Sequence, residues 1–215
     1  MPRLKKTRTR STSGHLRKLR QIRREVAAEA ARIIATESQH NYHVAKKKAA
    51  DRIGVSERLA LPSNIEVQEA LTAYQGLYGG TAHRENLEHL RRTAVEAMQW
   101  LERFNPRLVG PVLDGTAGSH SRISLHVFAD SVEAVVLFFL ERGTAYRQEQ
   151  RQIRWFNGEH RLVPLIVVSL AGVDIELAVF EPVHLRQSPP SPIDGRPQRR
   201  AAVGEVEYLL EQQSA

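Results

Sequence analysis

From Leu16 the apolar residues recur at spacings of three and four, through Leu19, Ile22, Val26, Ala30 and Ile33. That is the period of one helical face. A shorter helix is expected over about 42–53, ended by Gly54, because a left-handed glycine is the commonest way to close a helix. Ser63-Asn64-Ile65-Glu66 has the spacing of a capping box and opens a helix that runs through Tyr78 and stops at Gly79-Gly80. A long helix follows over 83–104, with Leu87, Leu90, Ala94, Ala97, Leu101 and Phe104 on one stripe. Asn105-Pro106 closes it, since the residue before a proline avoids helical ψ.

The period then changes. Leu108–Leu113 is a short apolar run ending in Asp-Gly-Thr. Ile123, Leu125 and Val127 alternate with Ser124, His126 and Phe128, the signature of a half-buried strand. Asp130 with Glu133 reads as a second capping box, opening a helix over 131–142 that is apolar nearly all round and so is expected to be covered on several sides. Tyr146–Trp155 is polar and fits an edge strand. Leu162–Leu170 reads as a strand despite Pro164, and Ala171-Gly172 turns the chain into the alternating run Val173–Phe180. A proline-rich loop over 188–197 leads to a closing helix over 199–213. The pattern therefore predicts an α/β (α+β) protein in three parts. These are a basic, disordered arm (1–15), a helical region (16–104) and a small mixed-sheet domain of four or five strands (105–215).

At 41% hydrophobic and 26% charged residues, the 215-residue chain falls in the globular range. The absence of cysteine excludes disulfides, zinc–thiolate sites and cysteine nucleophiles. No apolar run reaches the roughly 18–20 residues that span a bilayer, and no apolar stretch follows the N-terminal charges, so neither a membrane span nor a secretory signal is expected and a cytoplasmic location is. The net charge of +7 is unevenly placed: residues 1–24 hold ten of the 31 basic residues and none of the 24 acidic ones. Lys5, Lys6, Arg8, Arg10, Arg17, Lys18, Arg20, Arg23 and Arg24 form the footprint of a polyanion binder, with RNA or DNA as the expected partner. The same segment also reads as a solvated arm or, being rich in Arg, Ser and Thr, as a presequence.

Candidate chemistry concentrates in the second half. On one strand Ser124 and His126 share a face; on another Asp174 and Glu176 do. If those strands are neighbours, four polar side chains converge. The turn Asp114–Ser119 precedes the first strand, and its glycines suit close approach of backbone N–H groups to a phosphate. An apolar strand, Gly-Thr, a strand with polar residues at i and i+2, and an acid on a later strand together resemble the nucleotidyltransferase superfamily, its minimal members included, over about 108–180. The resemblance implies that Gly115 and Thr116 stand where the family has Gly-Ser and hold the triphosphate with Ser124. It also implies that Ser124-Leu125-His126 stands for Asp-x-Asp, and that Asp174 and Glu176 are the third acid and hold a divalent metal, Mg²⁺ or Mn²⁺. His126 then serves as ligand or general base. Both Asp-x-Asp acids are absent, so a nucleotide or nucleic-acid end is the expected ligand while transfer is expected to be impaired.

Two plainer readings stand beside this one. Ser124 and His126 fit the solvent half of an amphipathic strand, and Asp174 and Glu176 fit surface charges on a hairpin. Arg196, Arg199 and Arg200 cluster where the last helix is expected to begin, unfavourably for its dipole, and so are expected either to attract an anion or to strap the loop over the sheet by pairing with carboxylates. The whole-chain alternative is a non-catalytic nucleic-acid-binding or scaffold protein acting through residues 1–24.

Overall fold

The computed structural model describes residues 9–37, 41–55 and 61–214. They fall into two compact units, divided after Tyr78. The first contains α1 (Thr9–Thr36), α2 (Tyr42–Ile53) and α3 (Asn64–Tyr78). Val26, Ala27, Ala30 and Ile33 of α1 close on Ala45, Ala49 and Ala50 of α2 and on Val67 of α3. Small alanines on two of the three helices let the backbones approach closely. Asn41 caps α2 by accepting from the His43 and Val44 amides, and Gly54 ends it at φ 74°, as the sequence predicts. The capping box at α3 is present: Ser63 N–H donates to the Glu66 carboxylate at 2.7 Å, and Glu66 N–H to Ser63 Oγ at 3.2 Å.

The second unit begins with α4 (Gly80–Trp100), continued by a 3₁₀ turn at Glu102–Phe104. Then come β1 (Arg107–Val109), the single turn α5 (Pro111–Asp114), β2 (Ile123–Phe128), α6 (Val132–Leu140), β3 (Tyr146–Arg154), β4 (His160–Leu170), β5 (Val173–Phe180), a 3₁₀ turn at Pro182–Leu185 and α7 (Val203–Ser214). The five strands form one sheet in the order β1-β2-β5-β4-β3. β2 and β5 run parallel and the other neighbours antiparallel. One face, carrying Ile123, Leu125, Val127, Ile175, Leu177, Val179, Ile166 and Val168, is the main core; α4, α6 and α7 cover it with Leu90, Met98, Phe138, Phe139 and Val206. Ala171 (φ 50°) and Gly172 (φ 77°) join β4 to β5; two successive positive φ angles match a hairpin turn to the twist of its strands. Pro164 is tolerated because the β4–β5 ladder starts only at Leu165, leaving Pro164 paired to β3 alone.

Several expectations change. The boundary lies at 78/79 and not at 104, because α4 buries its stripe on the sheet and belongs to the α/β unit. The helix expected from Leu16 begins at Thr9, so part of the expected arm is helical. Ser131, not Asp130, caps α6, its hydroxyl accepting from the Ala134 amide. Leu137 and Leu140 of α6 are 55% and 57% exposed, so this helix is covered on one side only. The last helix starts at Val203, which places Arg196, Arg199 and Arg200 ahead of it in an irregular segment pinned by the Leu108–Ala201 bridge.

Candidate functional site

The alternation of β2 and β5 decides the site. Because the two strands are adjacent and parallel, Ser124 lies directly beside Glu176 and His126 beside Ala178. Their shared face looks away from the main core. Toward the carboxyl ends of β2 and β5 it is covered by a second apolar cluster of Phe128, Phe180, Trp155, Val163 and Leu165. Toward the amino ends it carries charge.

That charge is a network of three carboxylates and three guanidinium groups. Glu176, whose side chain is 3% exposed, accepts from Arg151 at 2.5 Å and has Arg122 at 3.8 Å. Asp174 accepts from Arg147 at 2.7 Å and has Arg122 at 3.8 Å; Arg122 also donates to Glu149 at 3.0 Å. The hydrogen bond to Glu149 and the surrounding acids hold the Arg122 guanidinium above its usual pKa. Arg147 and Arg151 extend across β4 from the edge strand with side chains 60% and 54% exposed, so the acids sit below and the arginines form the outer layer.

His126 occupies a different environment. It is 6% exposed, and its Nδ1 accepts from Arg200 Nε at 3.0 Å. Burial, then the positive charges of Arg200 and Arg151, push its pKa down to about 3. The ring is therefore neutral, with Nδ1 engaged by Arg200 and its proton on Nε2, where it can donate. Arg200 Nη1 donates to the His184 carbonyl at 2.7 Å, and its guanidinium carbon lies 5.0 Å from the Phe128 ring centre. Burial lowers the Arg200 pKa to about 10. Arg200 thus fastens the proline-rich segment over the sheet, with a histidine in place of a carboxylate as its partner. Arg196 is 3.9 Å from Asp194 within the loop itself, and Arg199 is exposed.

The turn before β2 also differs from expectation. Gly115 is left-handed at φ 81°, but its N–H and that of Thr116 both donate to the Pro111 carbonyl. Gly118 N–H donates to Ser121 Oγ at 2.9 Å, and Thr116 is buried. The amides that were to cradle a phosphate at Gly115 and Thr116 are thus engaged within the turn. It is an ordered lead-in to β2, anchored by Asn86 Nδ2 donating to the Gly118 carbonyl.

The resemblance implies Mg²⁺ or Mn²⁺ here, and this donor set offers Mg²⁺ a poor fit. Mg²⁺ requires hard oxygen ligands. Here Ser124 and His126 stand where two acids would be, and Asp174 and Glu176 are bound by arginines. Among the described residues no three His, Cys, Asp or Glu side chains gather as a metal site. Sequence reasoning did not single out Arg122, Arg147, Glu149 or Arg151. The signal was present: alternation through Tyr146–Arg154 puts Arg147, Glu149 and Arg151 on one face, and Arg122 lies two residues ahead of Ser124.

Of the nucleic-acid-binding candidates, Lys5, Lys6 and Arg8 lie outside the described residues, and Arg10 is placed only as a position within α1. Arg17, Lys18, Arg20, Arg23 and Arg24 are all exposed on α1. Among the described residues no helix is long and apolar enough to cross a membrane. No family model, no curated protein and no solved structure matches the chain.

Proposed function

We propose that residues 79–215 form a nucleotidyltransferase-like unit that binds a nucleotide, or the phosphorylated end of a nucleic acid, through arginines and without the divalent metal that transfer requires. One observation carries this reading: Glu176, beside Ser124 on the neighbouring strand, is bound by Arg151 with Arg122 close by, so guanidinium groups stand where metal ions would offset a triphosphate. Half-exposed arginines can turn outward, and a guanidinium fork matches phosphate oxygens bidentately. Ser124 and the neutral His126 offer hydroxyl and N–H groups, not carboxylates, and this supports binding over transfer. The test is equilibrium binding of nucleoside triphosphates to wild type and to Arg147→Ala/Arg151→Ala. At least a tenfold loss in the variant is expected; equal affinity would remove the arginines from the site.

A second reading, nucleic-acid binding with the sheet purely structural, is favoured by the exposed cations of α1. Deleting residues 1–24 abolishes binding under that reading, whereas Arg147→Ala/Arg151→Ala leaves it intact.

A further inference from the structure

The basic half of α1 has features that discriminate among polyanions. Of its described side chains the first fully buried one is Val26, and from Leu16 to Glu25 every side chain is exposed or half-buried. The helix starts at Thr9, so some 17 residues, about 25 Å at 1.5 Å per residue, precede Val26, and among their described side chains Ile22 alone packs against the helical core. Along that stretch Arg17, Arg20 and Arg24 follow the three-and-four spacing of one face, with Lys18 and Arg23 flanking it.

The rest of this helical unit treats its cations differently. Arg32 and Arg52 pair with Glu29, Arg52 and Lys48 pair with Glu37, and Lys46 donates to the Pro62 carbonyl and Asn64. Among the described residues, Arg17, Lys18, Arg20, Arg23 and Arg24 have no carboxylate within 4.0 Å, and the first turn of α1 contains no acid. Like charges at i,i+3 and i,i+4 repel, and cations near a helix N-terminus oppose its dipole. A polyanion along this face removes both penalties.

We infer that the amino-terminal half of α1 is a recognition surface for double-stranded DNA and lies along its major groove. The inference rests on the nucleic-acid reading above and narrows it. A helix about 10–12 Å across enters a B-form major groove about 12 Å wide, whereas the A-form groove of duplex RNA is too narrow and deep to admit one. Single strands are held by stacking on aromatic rings, and α1 contains no Phe, Tyr or Trp. An anionic membrane needs a broad apolar face; here Ile22 packs against the helical core, leaving Leu16 as the exposed large apolar residue of this stretch. Contacts to phosphate dominate, so binding is weakly dependent on sequence and steeply dependent on salt.

The test is fluorescence anisotropy of the full chain with a mixed-sequence DNA duplex, the RNA duplex of the same sequence, the single DNA strand and vesicles containing anionic lipid, at several salt concentrations. Tightest binding to the DNA duplex is expected. Arg17→Gln/Arg20→Gln/Arg24→Gln, at exposed positions that leave the fold intact, is expected to weaken it at least tenfold and to flatten the log–log salt slope by about 2–3. Equal or tighter binding to duplex RNA, single strands or vesicles overturns the inference while leaving polyanion binding standing. No binding to any nucleic acid overturns both, and an unchanged affinity in the triple variant removes this face from the contact.

Discussion

A double-mutant cycle on Glu176 and Arg151 probes the charged face most searchingly. Arg151→Met removes the guanidinium and leaves a carboxylate that is 3% exposed with only Arg122, 3.8 Å away, to balance it. Breaking a fully buried pair costs about 3–5 kcal/mol. Arg151 is 54% exposed and Arg122 remains, so the expected loss is smaller, about 2–3 kcal/mol. Glu176→Gln keeps the volume and leaves an arginine that can reach water, so about 1 kcal/mol is expected. In the double variant no buried charge is left uncompensated, and the two losses should fail to add by about 1–2 kcal/mol. Both tryptophans of the chain, Trp100 and Trp155, lie in the α/β unit, so urea unfolding followed by tryptophan fluorescence reports this unit alone. Losses that add to within about 0.3 kcal/mol would refute the pairing on which the site rests.

Three further outcomes follow from the geometry. The His126 pKa falls on folding from 6.5 to about 3, so its neutral ring adds stability that is complete above pH 6.5 and is lost as the pH drops toward 3. The contribution has a slope of up to about 1.4 kcal/mol per pH unit in that window, and comparing His126→Gln with wild type across pH isolates it. Arg200→Met leaves His126 Nδ1 and the His184 carbonyl without their donor and takes a cation off the Phe128 ring, while relieving a buried charge. The net expected loss is about 1–3 kcal/mol, with the His126 titration moving toward neutral pH; a more stable variant would contradict the strap. Ser63→Ala removes the capping box of α3 and should cost about 1 kcal/mol, visible by circular dichroism in the helical unit and silent in the tryptophan transition.

Much of the architecture was written in periodicity. The α2 boundaries, the Ser63–Glu66 box and the Ala171-Gly172 turn emerge where local backbone chemistry alone decides the outcome. The placement of α4 did not, because its apolar stripe fits a helical bundle and a sheet equally well, and only tertiary packing chooses. The cap of α6 was displaced by one residue, since Asp130 and Ser131 both suit an N-cap and only Ser131 reaches the Ala134 amide. At the site, alternation placed Ser124, His126, Asp174 and Glu176 on two strand faces, and their adjacency followed from strand order, which one sequence does not encode locally. Alternation sets Arg147, Glu149 and Arg151 on one face of β3 and puts Arg122 two residues ahead of Ser124, but that they meet Asp174 and Glu176 depends again on strand order. Likewise, nothing near His126 in sequence announces Arg200, 74 residues later.

The central claim is that the charged face binds a nucleotide with arginines in place of metal ions. Thermal unfolding of the α/β unit, followed by tryptophan fluorescence, is measured with each nucleoside triphosphate, once in a chelator and once with Mg²⁺. A ligand at a hundred times its Kd stabilises the fold by about 2.7 kcal/mol, a rise of roughly 5–10 °C in Tm for a unit of this size. The account predicts that rise, of equal size, in the chelator and with Mg²⁺. A rise that requires Mg²⁺, or none with any triphosphate, contradicts it.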